Sequence, residues 1–330
     1  LGGNVPASTT RLDPGYDALS NGVAILDRSH LGRVRITGAD ALDLINRFST
    51  NETVGLADGD VVVTVLTSNI GRVIELITVV RRSATESVIL TGPGAENTIV
   101  EWLDRYNFGE DCEFSITTES SAQISVSGPH ASELGLPLPE NGRAISTEIG
   151  GVAVEIVHVP GPSLASYEVL VEDRNALPAV SDALAAAGGV PADENATEAL
   201  RIERGLPARS HEITDDNNPL EAGLEPYVSF TKGCYMGQEV IARLDTYDKI
   251  QRRIVGLLSS DNAKLSTEST LRSEDREIGR ITSVAASPSL GREIALAYVR
   301  KAFAEPGTLL SSDNGTVEVV ALPFVTGPGL

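Results

Sequence analysis

Apolar residues change their spacing repeatedly along the chain, and each change marks an element. Residues 1 to about 22 are polar and rich in Gly, Pro, Ser and Thr, which reads as an arm or loop. Val23 to Leu26 is a short apolar run, and Arg33 to Thr37 alternates like a half-buried strand. After Gly38-Ala39-Asp40 the period lengthens: Ala41, Leu42, Ile45 and Phe48 fall on one helical face. Asp58-Gly59-Asp60 precedes a strand from Val61 to Leu66, and the turn Ser68 to Arg72 joins it to a second strand, Val73 to Val80, as a hairpin. Ser87 to Leu90 is a further strand, Gly94 to Tyr106 an amphipathic helix carrying Trp102, and Glu113 to Thr117 and Gln123 to Val126 are short strands. Gly151 to Val157 and Tyr167 to Val171 alternate. Arg174 to Ala187 is an alanine-rich helix stopped by Gly188-Gly189. Asn195 or Thr197 is placed to cap the next helix, which carries Arg201 and Glu203.

Two stretches repeat a template. Val34 to Ala41 and Ile124 to Ala131 both run strand, Ser/Thr-Gly, x-x-Ala, helix, 90 residues apart. Two copies at that distance suggest two related α+β halves, not a solenoid; chance similarity is the competing explanation. Residues 206 to 226 form a long irregular segment rich in Pro, Asn and Asp, the kind of loop that is usually functional or disordered; the motif-dense sequence on both sides favours a binding loop. From Gln251 the character changes. Arg253 to Leu258, Arg276 to Ala285, Glu293 to Val299 and Thr316 to Leu322 are short strands between turns, as in a small β-barrel or sandwich. This divides the chain into 1–249 and 250–330.

Composition narrows the function classes. No apolar run reaches the roughly 18 residues of a membrane-spanning helix, and the first residues lack the basic-then-apolar pattern of a secretory signal. The two cysteines, Cys112 and Cys234, are far apart, and the four histidines are scattered without metal-ligand spacing, so a reducing, cytoplasmic setting is expected. Acids outnumber bases 46 to 26, for a net charge of −20, and only four bases are lysine. An acidic, lysine-poor surface reads as halophile-like, with a merely acidic cytosolic protein as the alternative. Either way, general binding to nucleic acid or to an anionic membrane is not expected, and an anionic ligand would need local arginines.

The densest chemistry is Ser229-Phe230-Thr231-Lys232-Gly233-Cys234-Tyr235-Met236-Gly237-Gln238-Glu239-Val240-Ile241-Ala242-Arg243. Two glycines flank Cys234, and the pattern turns helical from about Tyr235, with Glu239 and Arg243 spaced for a helix-face ion pair. A cysteine at or just before a helix N-terminus beside a lysine is a candidate thiolate; a small buried residue in a glycine turn is the alternative. Lys-Gly-Cys-Tyr-x-Gly-Gln-Glu followed by Arg resembles the signature of the YgfZ family, folate-binding relatives of the glycine-cleavage T-protein (aminomethyltransferase). Leu200 to Gly205, Asn218 to Leu224 and Gln251 to Leu257 extend the resemblance, and weaker echoes reach back to about Asp27.

That resemblance implies an α+β fold of two ferredoxin-like lobes, interleaved in sequence, plus a C-terminal β-barrel. It implies tetrahydrofolate as ligand. In T-proteins the acid of an Arg-Leu-Glu-Ala-Gly stretch holds the pterin; Glu203 in Arg201-Ile202-Glu203-Arg204-Gly205 matches it. The alternative for Glu203 is a helix-surface pair with Arg201 or Arg204. Arg243, Arg252, Arg253 and Lys232 are candidates for the glutamate tail of folate, and Tyr227, Phe230 and Tyr235 for stacking on its ring. The T-protein's activating aspartate belongs to a Gly-Gly-x-x-Asp-Asp stretch, which here reads Gly71-Arg72-Val73-Ile74-Glu75-Leu76. Glu75 is then a displaced general base or a solvent-facing strand residue. The leading functional expectation is iron–sulfur cluster assembly or repair through Cys234, with cluster-bearing client proteins or assembly factors as partners. A folate-dependent aminomethyl- or methyltransferase is the second expectation, and a folate-binding scaffold without chemistry the third.

Overall fold

A computed structural model describes residues 13–164, 167–260 and 264–325. The first half of the expected N-terminal arm lies outside these residues. The rest is not a loop: Pro14–Asn21 is a helix, capped by the Asp13 carboxylate, which accepts from the Gly15 and Tyr16 amides, and it buries Tyr16, Ala18 and Leu19.

The first lobe runs strand Leu31–Thr37, helix Ala41–Phe48, strands Val61–Thr67, Val73–Ser83 and Glu86–Pro93, helix Glu96–Asp104 and strand Glu113–Ile116. The second runs strand Ala122–Ser127, a single 3₁₀ turn Ala131–Leu134, strands Ala144–Ile149, Val152–Val157 and Tyr167–Val171, helix Leu177–Ala186 and strand Val190–Pro191. Within each sheet the order is the same: second, third, fourth, first, fifth strand of the lobe. In the second lobe's sheet Ala24–Asp27, which precedes the first lobe in sequence, is inserted between the first and fifth strands. Each lobe is a ferredoxin-like α+β unit, the first with one extra strand and the second with two, Ala24–Asp27 included.

The repeated template is therefore a structural repeat. Gly38 and Gly128 hold φ of +120° and +116° at the same strand-to-helix corner, and a Cβ would strike the Asp111 and Gly22 carbonyl oxygens respectively. The template overstates one element. In the second copy the helix is only one turn, because Gly135, in the left-handed region, and then Pro137 and Pro139 end it.

The two sheets pack face to face, Val61, Val80, Val88 and Leu90 of the first lobe against Ala144, Val157 and Leu170 of the second. The barrel closes in the order Arg252–Ser259, Arg292–Arg300, Arg276–Ser287, Thr270–Ser273, Leu309–Ser312, Gly315–Val320. Its core alternates Val255, Leu257, Ala295, Ala297, Val299, Val317 and Val319 inward. Two of its strands, of four residues each, are too short for alternation to reveal in sequence. Helix Glu194–Glu203 docks the barrel on the lobes, with Ile202 against Ile294 and Leu296. Its cap is Asp193, whose carboxylate accepts from the Ala196 amide at 2.8 Å, rather than Asn195 or Thr197.

Candidate functional site

Two cavities meet at the end of helix Glu194–Glu203. The first, of about 250 Å³, is an apolar slot between Leu76 of the first lobe, Pro162 of the second, Leu206, Leu224 and Tyr227 of the connecting segment and Leu322 after the barrel. The second, of about 390 Å³, is polar, with Ser132, Asn141, His158 and Tyr167 on the second lobe. Arg204 lines both, and residues 161–164 pass between them. Small-molecule sites commonly occupy about 300–1,000 Å³, so the pair suits a ligand with a flat apolar part and a polar part. A larger crevice, about 620 Å³, lies over the packed sheets, but its arginines are spent on ion pairs: Arg35–Glu86 at 2.9 Å, Arg82–Glu155 at 2.8 Å and Arg82–Glu172 at 2.6 Å.

Of the ten residues offered from sequence as reactive or ligand-binding, Tyr227 alone lines a cavity, the apolar slot. Two miss by a single position. Successive strand residues face opposite ways, so Leu76 enters the slot while Glu75 turns to the other side of the sheet. There Glu75 is buried, ion-paired through Oε2 to Arg209 Nε, and its Oε1 accepts from the Leu76 amide at 3.2 Å. Burial raises its pKa above the ordinary carboxylate value, with Arg209 pulling the other way. Glu75 is thus neither solvent-facing nor aimed at the slot.

Glu203 is the second near miss. It is fully buried, and its carboxylate accepts from the Tyr16 hydroxyl at 2.5 Å, the Ser287 hydroxyl and the Ser289 amide at 3.3 Å. Burial, then the bond to Glu203, raises the pKa of Tyr16. The surface-pair alternative fails as well, since Arg201 bonds Glu198 and Glu212 instead. The next residue, Arg204, is the one that reaches the cavities.

The cysteine motif does other work. Lys232 is half-buried, and its ammonium donates to the backbone oxygens of Asn46, Ser49 and Asn51 and to Asn46 Oδ1, all within 2.6–2.9 Å. Burial draws its pKa down to about 8. Tyr235 is buried among Leu220, Val228, Ile241 and Ile250, with its pKa pushed up to about 12 by that burial. The Ser229 amide bonds the Thr50 carbonyl, the Met236 amide the Arg47 carbonyl, and the Thr67 hydroxyl the Met236 carbonyl. The helix begins at Gln238 with Gly237 as cap, so Cys234 lies three residues ahead of the cap, exposed and outside the first turn. Glu239 and Arg243 form no ion pair within 4.0 Å, and Arg243 is exposed. Arg253, also exposed, lies 4.0 Å from Asp248. Arg252 bonds the Asp216 carbonyl and Asn217.

Sequence reasoning missed Leu76, Arg204, His158 and Tyr167 as lining residues, though it named Tyr227. Arg204 had a signal: it replaces the alanine of the Arg-Leu-Glu-Ala-Gly stretch. His158 Nδ1 lies 3.2 Å from the Pro139 carbonyl oxygen. A carbonyl only accepts, so Nδ1 donates this bond, and in the neutral ring Nε2 is the accepting nitrogen. Tyr227, whose hydroxyl donates to the Pro162 carbonyl at 2.7 Å, has its pKa raised to about 12 by burial. Among the described residues no carboxylate lines either cavity, and no cluster of metal-ligating side chains exists. The same residues include no helix long and apolar enough to cross a membrane.

Comparison with known proteins agrees with this architecture. Residues 12–232 match the family described as GCVT N-terminal domain, and residues 252–325 the glycine cleavage T-protein C-terminal barrel domain. A putative chloroplastic transferase of Arabidopsis thaliana is 30% identical over 95% of this chain and 74% of its own. An aminomethyltransferase of Moorella thermoacetica is 29% identical over 98% and 92%. The crystal structure of the glycine cleavage system aminomethyltransferase T from Bartonella henselae superposes with a TM-score of 0.82 at 19% identity, covering 94% of this chain and 88% of that one, which speaks for the fold.

Proposed function

The chain belongs to the glycine cleavage T-protein family, and on that premise we propose that it binds tetrahydrofolate where the lobes and barrel meet and acts as a folate-dependent one-carbon transferase. The transferase reading takes precedence over the iron–sulfur reading because the similar proteins carry transferase names. The observation that carries it is the apolar slot beside a polar cavity, both centred on the end of the helix that bears Glu203.

The residues fit such a ligand. Leu76, Leu206 and Tyr227 form walls for a flat ring. Bound folate supplies the nucleophilic nitrogen. What the chain supplies is enclosure and orientation: the slot holds the ring away from water, and proton acceptance falls to His158 Nε2 in the adjoining cavity, since no carboxylate is present. Glu203 reaches a pterin edge only if the Tyr16 and Ser287 hydroxyls release it. Calorimetric titration with tetrahydrofolate tests the reading. Wild type binds, and Leu206→Trp, which fills the slot, does not while keeping its circular dichroism; a wild type that fails to bind ends the proposal.

One observation favours a second reading. Cys234 is solvent-exposed on a loop fixed to the first lobe, a placement suited to a thiol that meets other proteins, such as cluster-bearing clients. A strain lacking the gene separates the readings. Loss of growth on glycine, rescued fully by Cys234→Ser, supports the transferase. Loss of aconitase activity that Cys234→Ser does not rescue supports the thiol.

A further inference from the structure

We infer that Arg204 is a carboxylate-binding residue, gripping the anionic group of a ligand at the point where the apolar slot and the polar cavity meet. Arg204 is half-buried and lines both spaces. Its guanidinium makes no hydrogen bond or ion pair among the described residues, unlike its neighbours Arg201 and Arg209, which are held by Glu212 and Glu75. A purely structural arginine in the last turn of a helix would use the helix's last carbonyls, and none of them accepts from it. Burial draws the pKa of Arg204 below the ordinary arginine value, and Tyr16 and Glu203 offset this only in part, through space; the Glu203 oxygens are filled by the hydroxyls of Tyr16 and Ser287 and the Ser289 amide.

The electrostatic setting selects the ligand's sign. In a chain of net charge −20, two adjoining cavities free of carboxylate and sharing one unpaired cation are the place where an anion is not repelled. The fork of a guanidinium matches a carboxylate bidentately, and a single arginine with neutral neighbours such as Asn141 and Ser132 suits one carboxylate group better than a phosphate. Two sources present this group: the glutamate tail of folate, or a small carboxylate-bearing co-substrate in the polar cavity. The first source rests on the folate reading above; the second does not.

The test uses the full chain as wild type, Arg204→Ala and Arg204→Lys, with thermal unfolding as the folding control. Tetrahydrofolate, tetrahydropteroate (which lacks the glutamate) and glycine are titrated separately by calorimetry. A drop of about 10- to 100-fold in tetrahydrofolate affinity in Arg204→Ala, partly restored in Arg204→Lys and absent for tetrahydropteroate, places the folate tail on Arg204. Unchanged tetrahydrofolate binding with glycine binding lost in Arg204→Ala assigns the site to a small carboxylate. If Arg204→Ala alters neither, or weakens tetrahydropteroate as much as tetrahydrofolate, the inference is overturned. A wild type that binds glycine through Arg204 but neither folate compound overturns the folate reading and leaves this one standing.

Discussion

The cysteine loop and the cavity at the helix end make an instructive pair. The loop is dense in conspicuous residues, yet Lys232 is consumed in holding it to the first lobe, through four oxygens around Asn46, Ser49 and Asn51, and Tyr235 in packing among Leu220, Val228, Ile241 and Ile250 of its own segment. The cavity is lined by residues that attract little notice, Leu76, Leu206 and Tyr227, with one arginine left unpaired. A motif rich in reactive types can serve as a fastener, because ammonium and amide groups also satisfy buried carbonyls. A ligand space, by contrast, is mostly apolar wall with a few groups kept unpaired.

The sharpest way to break this comparison is to put the missing acid into the cavity. Leu76→Asp places a carboxylate in the slot, on the strand where the T-protein stretch has aspartate. A positioned general acid or base contributes about 100- to 10,000-fold. Leu76→Asp is therefore expected to raise aminomethyl transfer to tetrahydrofolate by about 100-fold, read as methylenetetrahydrofolate by chromatography. No gain, with tetrahydrofolate still bound, separates the slot from the transfer chemistry.

Next in size is the fastener. Lys232→Met leaves four oxygens without their donor, and hydrogen bonds to a charged group contribute about 1.5–3 kcal/mol each before the lysine's own desolvation is subtracted. A loss of about 2–4 kcal/mol in urea unfolding is expected. Tetrahydrofolate affinity should stay within about twofold, because Lys232 lines neither cavity. A large affinity loss at full stability would move the ligand to the cysteine loop.

The same contrast explains what was legible in sequence. Strand alternation, the repeated Gly corner and the run of short C-terminal strands exposed the α+β lobes and the barrel, because burial imposes a period of two or 3.6 whatever the neighbours are. Helix Pro14–Asn21 escaped because only three apolar residues of its eight are buried against the molecule, too few for a period. The site was misread by one residue at each of two places. Glu75 and Glu203 carry the chemistry expected of a folate site, but which of two adjacent residues faces a cavity depends on the strand's facing and on partners far along the chain. Arg209 claims Glu75; Tyr16 and Ser287, 187 residues before and 84 after, claim Glu203. No local spacing reveals those partners.

A smaller effect probes whether burial outweighs Arg209 at Glu75. Because its folded pKa is raised above 4.5, the native state holds that proton where the unfolded chain has released it. In the window from pH 4.5 up to the folded pKa, the native state binds more protons, so this residue's contribution to stability falls as pH rises. Glu75→Gln removes that contribution. The difference in unfolding free energy, wild type minus Glu75→Gln, should decline from about pH 4.5 upward and then level off. A flat difference shows that Glu75 titrates as an ordinary carboxylate, which would reopen it as a proton acceptor.

The smallest effect is the one that isolates Cys234. Its thiol is exposed, whereas Cys112 is buried, with a pKa pushed up to about 11 by that burial and by Asp111 beside it. Native protein should expose one thiol to an aromatic disulfide reagent quickly and the second only on denaturation. Cys234→Ser should remove the fast phase, shift unfolding by less than about 0.5 kcal/mol and leave tetrahydrofolate binding unchanged, since an exposed side chain away from the cavities has little to lose. If bound tetrahydrofolate instead slows the fast phase by tenfold or more, the loop and the cavity act together. The division between fastener and ligand space then fails at the one residue of the loop that the fold leaves free to react.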